Sequence, residues 1–166
     1  MINAESLIDL LRYDQYASNL VLDVAAQLSD EQLDQSSSPS HNSVREMLQH
    51  MLGTGIFFLA RSRGVEPTER PDQYRSVEEI RARWLALDQE IIDYLGSIDA
   101  VSINRVVEFS RADWSFPVWQ LFVQVAMHSI HHRGELSIVL TSLGYPLPTL
   151  DIINYYKIIN KEEKSP

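Results

Sequence analysis

The chain has 166 residues, no cysteine and a formal net charge of −9, with 45% of its residues apolar and 22% charged. That length suits one domain with a buried core, and the composition excludes a chain that is disordered throughout. Lack of cysteine excludes disulfides, thiolate metal sites, iron–sulfur clusters and a protein thiol nucleophile, and an acidic sequence pI of about 4.9 argues against a nucleic-acid partner.

The N-terminal run MINAESLIDLLRYD mixes acids with apolar residues, unlike the basic-then-apolar order of a signal peptide, so a cytoplasmic protein is expected. From Ala4 to Leu28 the apolar positions Leu7, Leu10, Leu11, Ala17, Val21, Leu22, Val24 and Leu28 recur every three or four residues. This predicts a first amphipathic helix capped by Asn3. SDEQLDQ then allows one helical turn, and SSSPSHN reads as a loop. A second helix is expected from Ser43 to Arg63, stopped by Gly64 with Pro67 and Pro71 beyond.

A third helix opens at Ser76, where Glu79 three residues on completes a reciprocal cap, and its stripe of Ile80, Trp84, Leu87, Ile91 and Leu95 runs to about Ile98. Asn104 to Phe109 and Trp114 to Phe116 could pair as a small hairpin around Ser110 to Asp113. Pro117, read as the first helical residue, begins a fourth long helix ending at Gly144. Thr149 to Ile159 forms a short fifth helix. The pattern predicts an all-α fold: a four-helix bundle in a single domain over residues 1–160, with a frayed tail at 161–166. Met47 to Ala60 is too short to span a bilayer, and Trp114 to His132 carries Gln120, Gln124 and three histidines, so no membrane is expected as a partner.

Without cysteine, a metal would have to be held by histidine and carboxylate. His128 and His132 are four residues apart on the fourth helix, so their imidazoles project from one face a turn apart. Leu121, Val125 and Val139 share that stripe, which directs the pair into the bundle. His131 flanks it and Arg133 reads as outward. His50 lies in the stripe Ser43, Met47, His50, Thr54 and Phe57 of the second helix and should be at least half buried. Each inward histidine can be a hydrogen-bonded core residue or a ligand, and a shared cation satisfies all three at once. Glu135 can be a ligand, an outer acceptor from an imidazole N–H, a general base, or a partly exposed side chain passing Leu136. His41, in the SSSPSHN loop, reads as a surface or capping residue. Trp84, Trp114, Trp119, Phe57, Phe58 and Phe122 either wall a substrate cavity or fill the core.

The run HSIHHRGELSIVLTSLGYPLPTLDIINYY, from His128 to Tyr156, resembles the HxxHHRGQ signature and following helix of the DinB family of DinB/YfiT-like metalloenzymes. RYDQYASNLVLDVAAQLSDEQL and SVREMLQHMLGTGIFFLAR resemble that family's first helix and its ligand-bearing second helix, in the same order. The resemblance implies an up-down-down-up bundle, often homodimeric, with a divalent metal held by His50, His128 and His132. Zinc or nickel is the metal it favours, ahead of iron, manganese or cobalt. Glu135 stands where the family commonly has Gln, so a carboxylate either lowers the charge of the site or adds a ligand. The activity implied is S-transfer from a low-molecular-weight thiol to an electrophile. The alternatives are a metal-dependent hydrolase in which Glu135 is the base for an activated water, and a non-catalytic metal- or ligand-binding stress-response module.

Overall fold

A computed structural model describes residues 3–38, 40–110 and 113–162. It contains helices α1 (Ala4–Ala25), α2 (Asp30–Asp34), α3 (Val44–Ser62), α4 (Val77–Ser97), α5 (Val118–Ser142) and α6 (Ile152–Glu162), and strands β1 (Val106–Glu108) and β2 (Ser115–Pro117). Both expected N-caps form: the Asn3 side chain accepts from the Ser6 amide, and Ser76 and Glu79 cap one another's backbone at the start of α4. Gly64 and Gly144 end α3 and α5 with φ of 77° and 89°, a backbone conformation that costs glycine least.

The boundaries shift where another bond competes. α1 stops at Ala25 because Gln27 and Leu28 bond to carbonyls only three residues back, after which Ser29 caps α2. Pro117 is the extended residue before α5, not its first helical one, because it still pairs with Val106 in the hairpin. α6 starts at Ile152, since the Leu150 carbonyl is held by the Tyr13 hydroxyl at 2.6 Å. It continues through Lys161 and Glu162 where a frayed tail was expected. The rest of that tail, and Pro39, Arg111 and Ala112 of the expected loop and turn, lie outside the described residues.

α1 packs on α4 and α5, and α3 packs on the same two, giving a square in the order α1, α4, α3, α5. Contacts along each pair fix the directions. Arg45 meets the Arg75 carbonyl at one end of α3 and α4, and the Tyr94 hydroxyl donates to the Ser62 carbonyl at the other, so these two helices are parallel. Arg81 pairs with Asp23, while Asp14 and Asp88 line one internal cavity further along, so α1 and α4 are antiparallel. His50 meets His128, while Phe58 faces Leu121, so α3 and α5 are antiparallel. The bundle is therefore up-down-down-up. Two parallel neighbours need a connection as long as the helices, which accounts for the stretch from 63 to 76 that returns along α3. At Gly53 it lies so close that a Cβ would stand 2.8 Å from Pro71 Cγ.

The main core is an apolar cluster drawn from all four long helices, with Phe122, Leu22, Met47, Leu52, Leu87 and Leu136 fully buried, and a smaller cluster sets Tyr155 of α6 against Tyr13 and Ala17 of α1. Arg133, expected to point outward, is 2% exposed. Its Nη1 donates to Asp14 Oδ1 at 2.6 Å and to Ser18 Oγ at 3.0 Å, and its guanidinium lies 5.7 Å over the Tyr13 ring. Periodicity misplaced it because an arginine can be buried only where a counter-charge waits, and that charge comes from α1.

Asp88 on α4 borders the same interior. Burial, and then the nearby Asp14, push its carboxyl up to about 8. Between the ordinary carboxylate range and pH 8 the folded chain thus holds a proton that the unfolded chain releases, and stability falls as pH rises through that window. Asp88→Asn, which mimics the neutral acid, is expected to flatten this decline in urea denaturation from pH 5 to 9. An unchanged slope in the variant would show that Asp88 ionises normally.

Candidate metal centre

Three histidines expected to face inward do meet. His132 is 5% exposed, and His50 and His128 are half-buried. His128 Nε2 lies 2.9 Å from His50 Nε2 and 3.2 Å from His132 Nε2. The one-turn spacing on α5 brings the second pair together, and the antiparallel packing of α3 sets His50 opposite.

A fourth imidazole joins them. His41, expected at the surface, lies with its ring centroid 4.0 Å from that of His50 and 4.9 Å from that of His132. His41, His50 and His132 each offer a ligand nitrogen, all within 4.8 Å of one another, and this group can hold a metal ion. A loop has no period, so the pattern that selected the helical histidines could not reach His41. The one local signal was its position two residues before Ser43, whose hydroxyl caps α3 at the Glu46 amide and so fixes where the loop ends.

Glu135 is placed behind the imidazoles. Its Oε2 lies 2.7 Å from His132 Nδ1 and accepts from Ser40 Oγ at 2.8 Å. Desolvation acts to raise the Glu135 carboxyl, but these two bonds outweigh it and hold the group below the usual range. Ser40 Oγ also contacts His41 Nδ1 at 3.1 Å, so one carboxylate and one hydroxyl tie the loop to α5. His131 is exposed and forms a second, outer group with His132 and Glu135.

The donor set fits a cation. Burial, then the neighbouring histidines His41 and His132, push His50 down to about 4. Burial, then His132, His50, His131 and His41, do the same for His128, and burial with His132 lowers His41. At neutral pH these imidazoles are uncharged, the form that binds metal. The carboxylate on His132 Nδ1 calls for the proton there, which leaves the lone pair on the inward Nε2. His128 Nδ1 is buried with no hydrogen-bond partner among the described residues. Lone pairs crowded at about 3 Å are costly unless shared with a cation.

Of the aromatic side chains, Trp84 and Phe122 are core, whereas Phe58, Phe109, Trp114 and Phe116 line a cavity of about 340 Å³ beside α5. A second cavity, lined by His50, Thr54 and Phe57 among others, shares Phe58 with the first. No helix among the described residues is long and apolar enough to cross a membrane.

A DinB-like protein from Bacillus cereus ATCC 10987 matches this structure with a TM-score of 0.70 at 19% identity, over 87% of this chain and 95% of that one. A DinB-like protein from Bacillus subtilis, YjoA, matches with a TM-score of 0.64 at 16% identity, over 86% and 96%. At these identities the likeness shows the fold alone. No curated protein matches the chain. The model of the DinB family matches residues 1–163, and with the bundle and its histidine cluster this places the chain in the DinB family.

Proposed function

We propose that this chain is a metal-dependent transferase that joins a small-molecule thiol to an electrophile, with His50, His128 and His132 as ligands and His41 beside them. The observation that supports it is the convergence of three imidazoles, backed by Glu135, with a cavity lined by His50 and Phe57 that shares Phe58 with the aromatic cavity. A divalent cation held there supplies the Lewis acidity that lets a thiol lose its proton near neutral pH. An imidazole donor set suits zinc or nickel, with iron, manganese and cobalt as further candidates.

The protein residues hold and orient. His132 is fixed in ring direction and tautomer by Glu135, and Ser40 fixes Glu135 in turn. This occupation makes Glu135 a positioning residue in the resting site, which favours transfer over the hydrolytic reading that needs it as base. Since the chain contains no cysteine, the sulfur nucleophile must be brought in by the substrate. In the transfer a sulfur–carbon bond forms as the bond to the leaving group breaks, and the thiol proton leaves to solvent.

The test is to incubate metal-replete protein with a small thiol and a chloro-nitroarene, following thiol loss and chloride release. The expected result is turnover that a chelator abolishes and metal restores. Full metal content without turnover across several thiols, together with ester hydrolysis, would replace this reading with the hydrolase; metal without either activity would leave a binding module.

A further inference from the structure

The aromatic cavity carries a chemistry of its own. Its volume of about 340 Å³ lies in the range of small-molecule sites. Phe109 and Phe116 stand 6.3 Å apart at 62°, Trp114 and Phe116 6.1 Å apart at 73°, and Phe58 and Phe109 6.4 Å apart at 75°, so successive rings meet edge to face. The hairpin supplies three of these rings and α3 the fourth. Trp114 is 52% exposed and Phe116 37%, a cost in water that a ligand covering them would remove.

The polar part is equally specific. The lining holds no charged side chain, and its polar groups are the amides of Gln120 and Gln124, one turn apart on α5. Neither amide makes a side-chain hydrogen bond among the described residues. Arg61 approaches Phe109 to 5.3 Å, but its two terminal nitrogens are held by the Glu66 carboxylate and the Glu108 carbonyl, and that carboxylate balances its charge. An anionic ligand would therefore lose water without gaining a counter-charge, whereas a neutral one loses little.

We infer that this cavity binds a neutral, planar aromatic molecule, its ring among Phe58, Phe109, Trp114 and Phe116 and a polar substituent on the amides of Gln120 and Gln124. Gln124 precedes His128 by four residues, so the substituent end faces the histidine cluster. That this molecule is the electrophile of the transfer rests on the function proposed above; the binding itself does not.

The test titrates nitrobenzene, and benzoate as its charged counterpart of similar shape, into the full-length protein by ligand-observed NMR. It is repeated on Trp114→Ala, Phe116→Ala and, as a variant that removes a proposed metal ligand and leaves the cavity lining intact, His50→Ala. Nitrobenzene should bind saturably and benzoate at least tenfold more weakly. Trp114→Ala and Phe116→Ala should each weaken nitrobenzene about tenfold with unchanged circular dichroism, while His50→Ala should lose metal but keep nitrobenzene. The inference is overturned if binding is absent or not saturable, if benzoate binds as well, or if both aromatic variants bind like the parent. A Trp114→Ala change in sedimentation without nitrobenzene binding by the parent would overturn it too, assigning the rings to contact with a second copy. Loss of turnover in the previous experiment would leave these results intact, so the two readings fail separately.

Discussion

Replacing His50 or His132 by alanine is expected to lower metal affinity on the order of 100-fold or more. A structural zinc site held by four protein ligands is worth about 10–16 kcal/mol, or about 3 kcal/mol for each ligand, and the loss of one of the three ligands proposed here is scaled to that share. These two residues belong both to the set read from helical spacing and to the group that includes His41. His128 lies within 3.2 Å of both partners, so His128→Ala should be equally severe. His41 sits on a loop where water can take its place, and His41→Ala should cost about tenfold. Glu135→Gln keeps an acceptor for His132 Nδ1 and should cost less than Glu135→Ala, for which about 10–100-fold is expected. Competition titration with a chromophoric chelator ranks all six variants. Parent-like affinity in His50→Ala and His132→Ala would remove the site assignment altogether. Because burial and neighbouring charge lower His50 and His128 to about 4, protons should displace the metal only as pH falls toward that value.

The parts of this site that follow a helical period were legible in the residues, and the parts that depend on a partner were not. His128 and His132 share a face by arithmetic, and His50 lies on the buried stripe of its own helix. The caps at Asn3 and Ser76 and the stops at Gly64 and Gly144 are local chemistry, readable where they stand. His41 escaped because its position is set by the Ser40–Glu135 bond, a contact spanning 95 residues. Arg133 escaped for the same reason, its place being decided by an aspartate 119 residues earlier. Pro117 was misread by one position because a strand claimed it before the helix could. In each case a contact with another element decided the position.

The largest stability effect is expected at that buried pair. Asp14→Ala leaves the Arg133 guanidinium 2% exposed with no counter-charge, and its Nη2 already has no partner among the described residues. Breaking one side of such a pair costs about 3–5 kcal/mol, a large share of a typical domain's stability. Arg133→Met should cost less, because desolvation already pushes the Asp14 carboxyl upward and without Arg133 it can take up a proton. Removing both charges, as Asp14→Leu with Arg133→Met, should recover much of the Asp14→Ala loss, since well-packed apolar residues often replace a buried pair without penalty. Urea denaturation of the metal-free proteins measures all three; a loss below about 1 kcal/mol in Asp14→Ala would show that the pair is not desolvated as its burial implies. The double variant also separates stability from function. Adjacent residues on a helix point about 100° apart, so the rotation of α5 that sets Arg133 against α1 also turns His132 toward α3. Without the ion pair that rotation is held by packing alone, which is not directional. The double variant should therefore fold nearly as well as the parent while binding metal more weakly, and parent-like affinity would show that the core fixes α5 unaided.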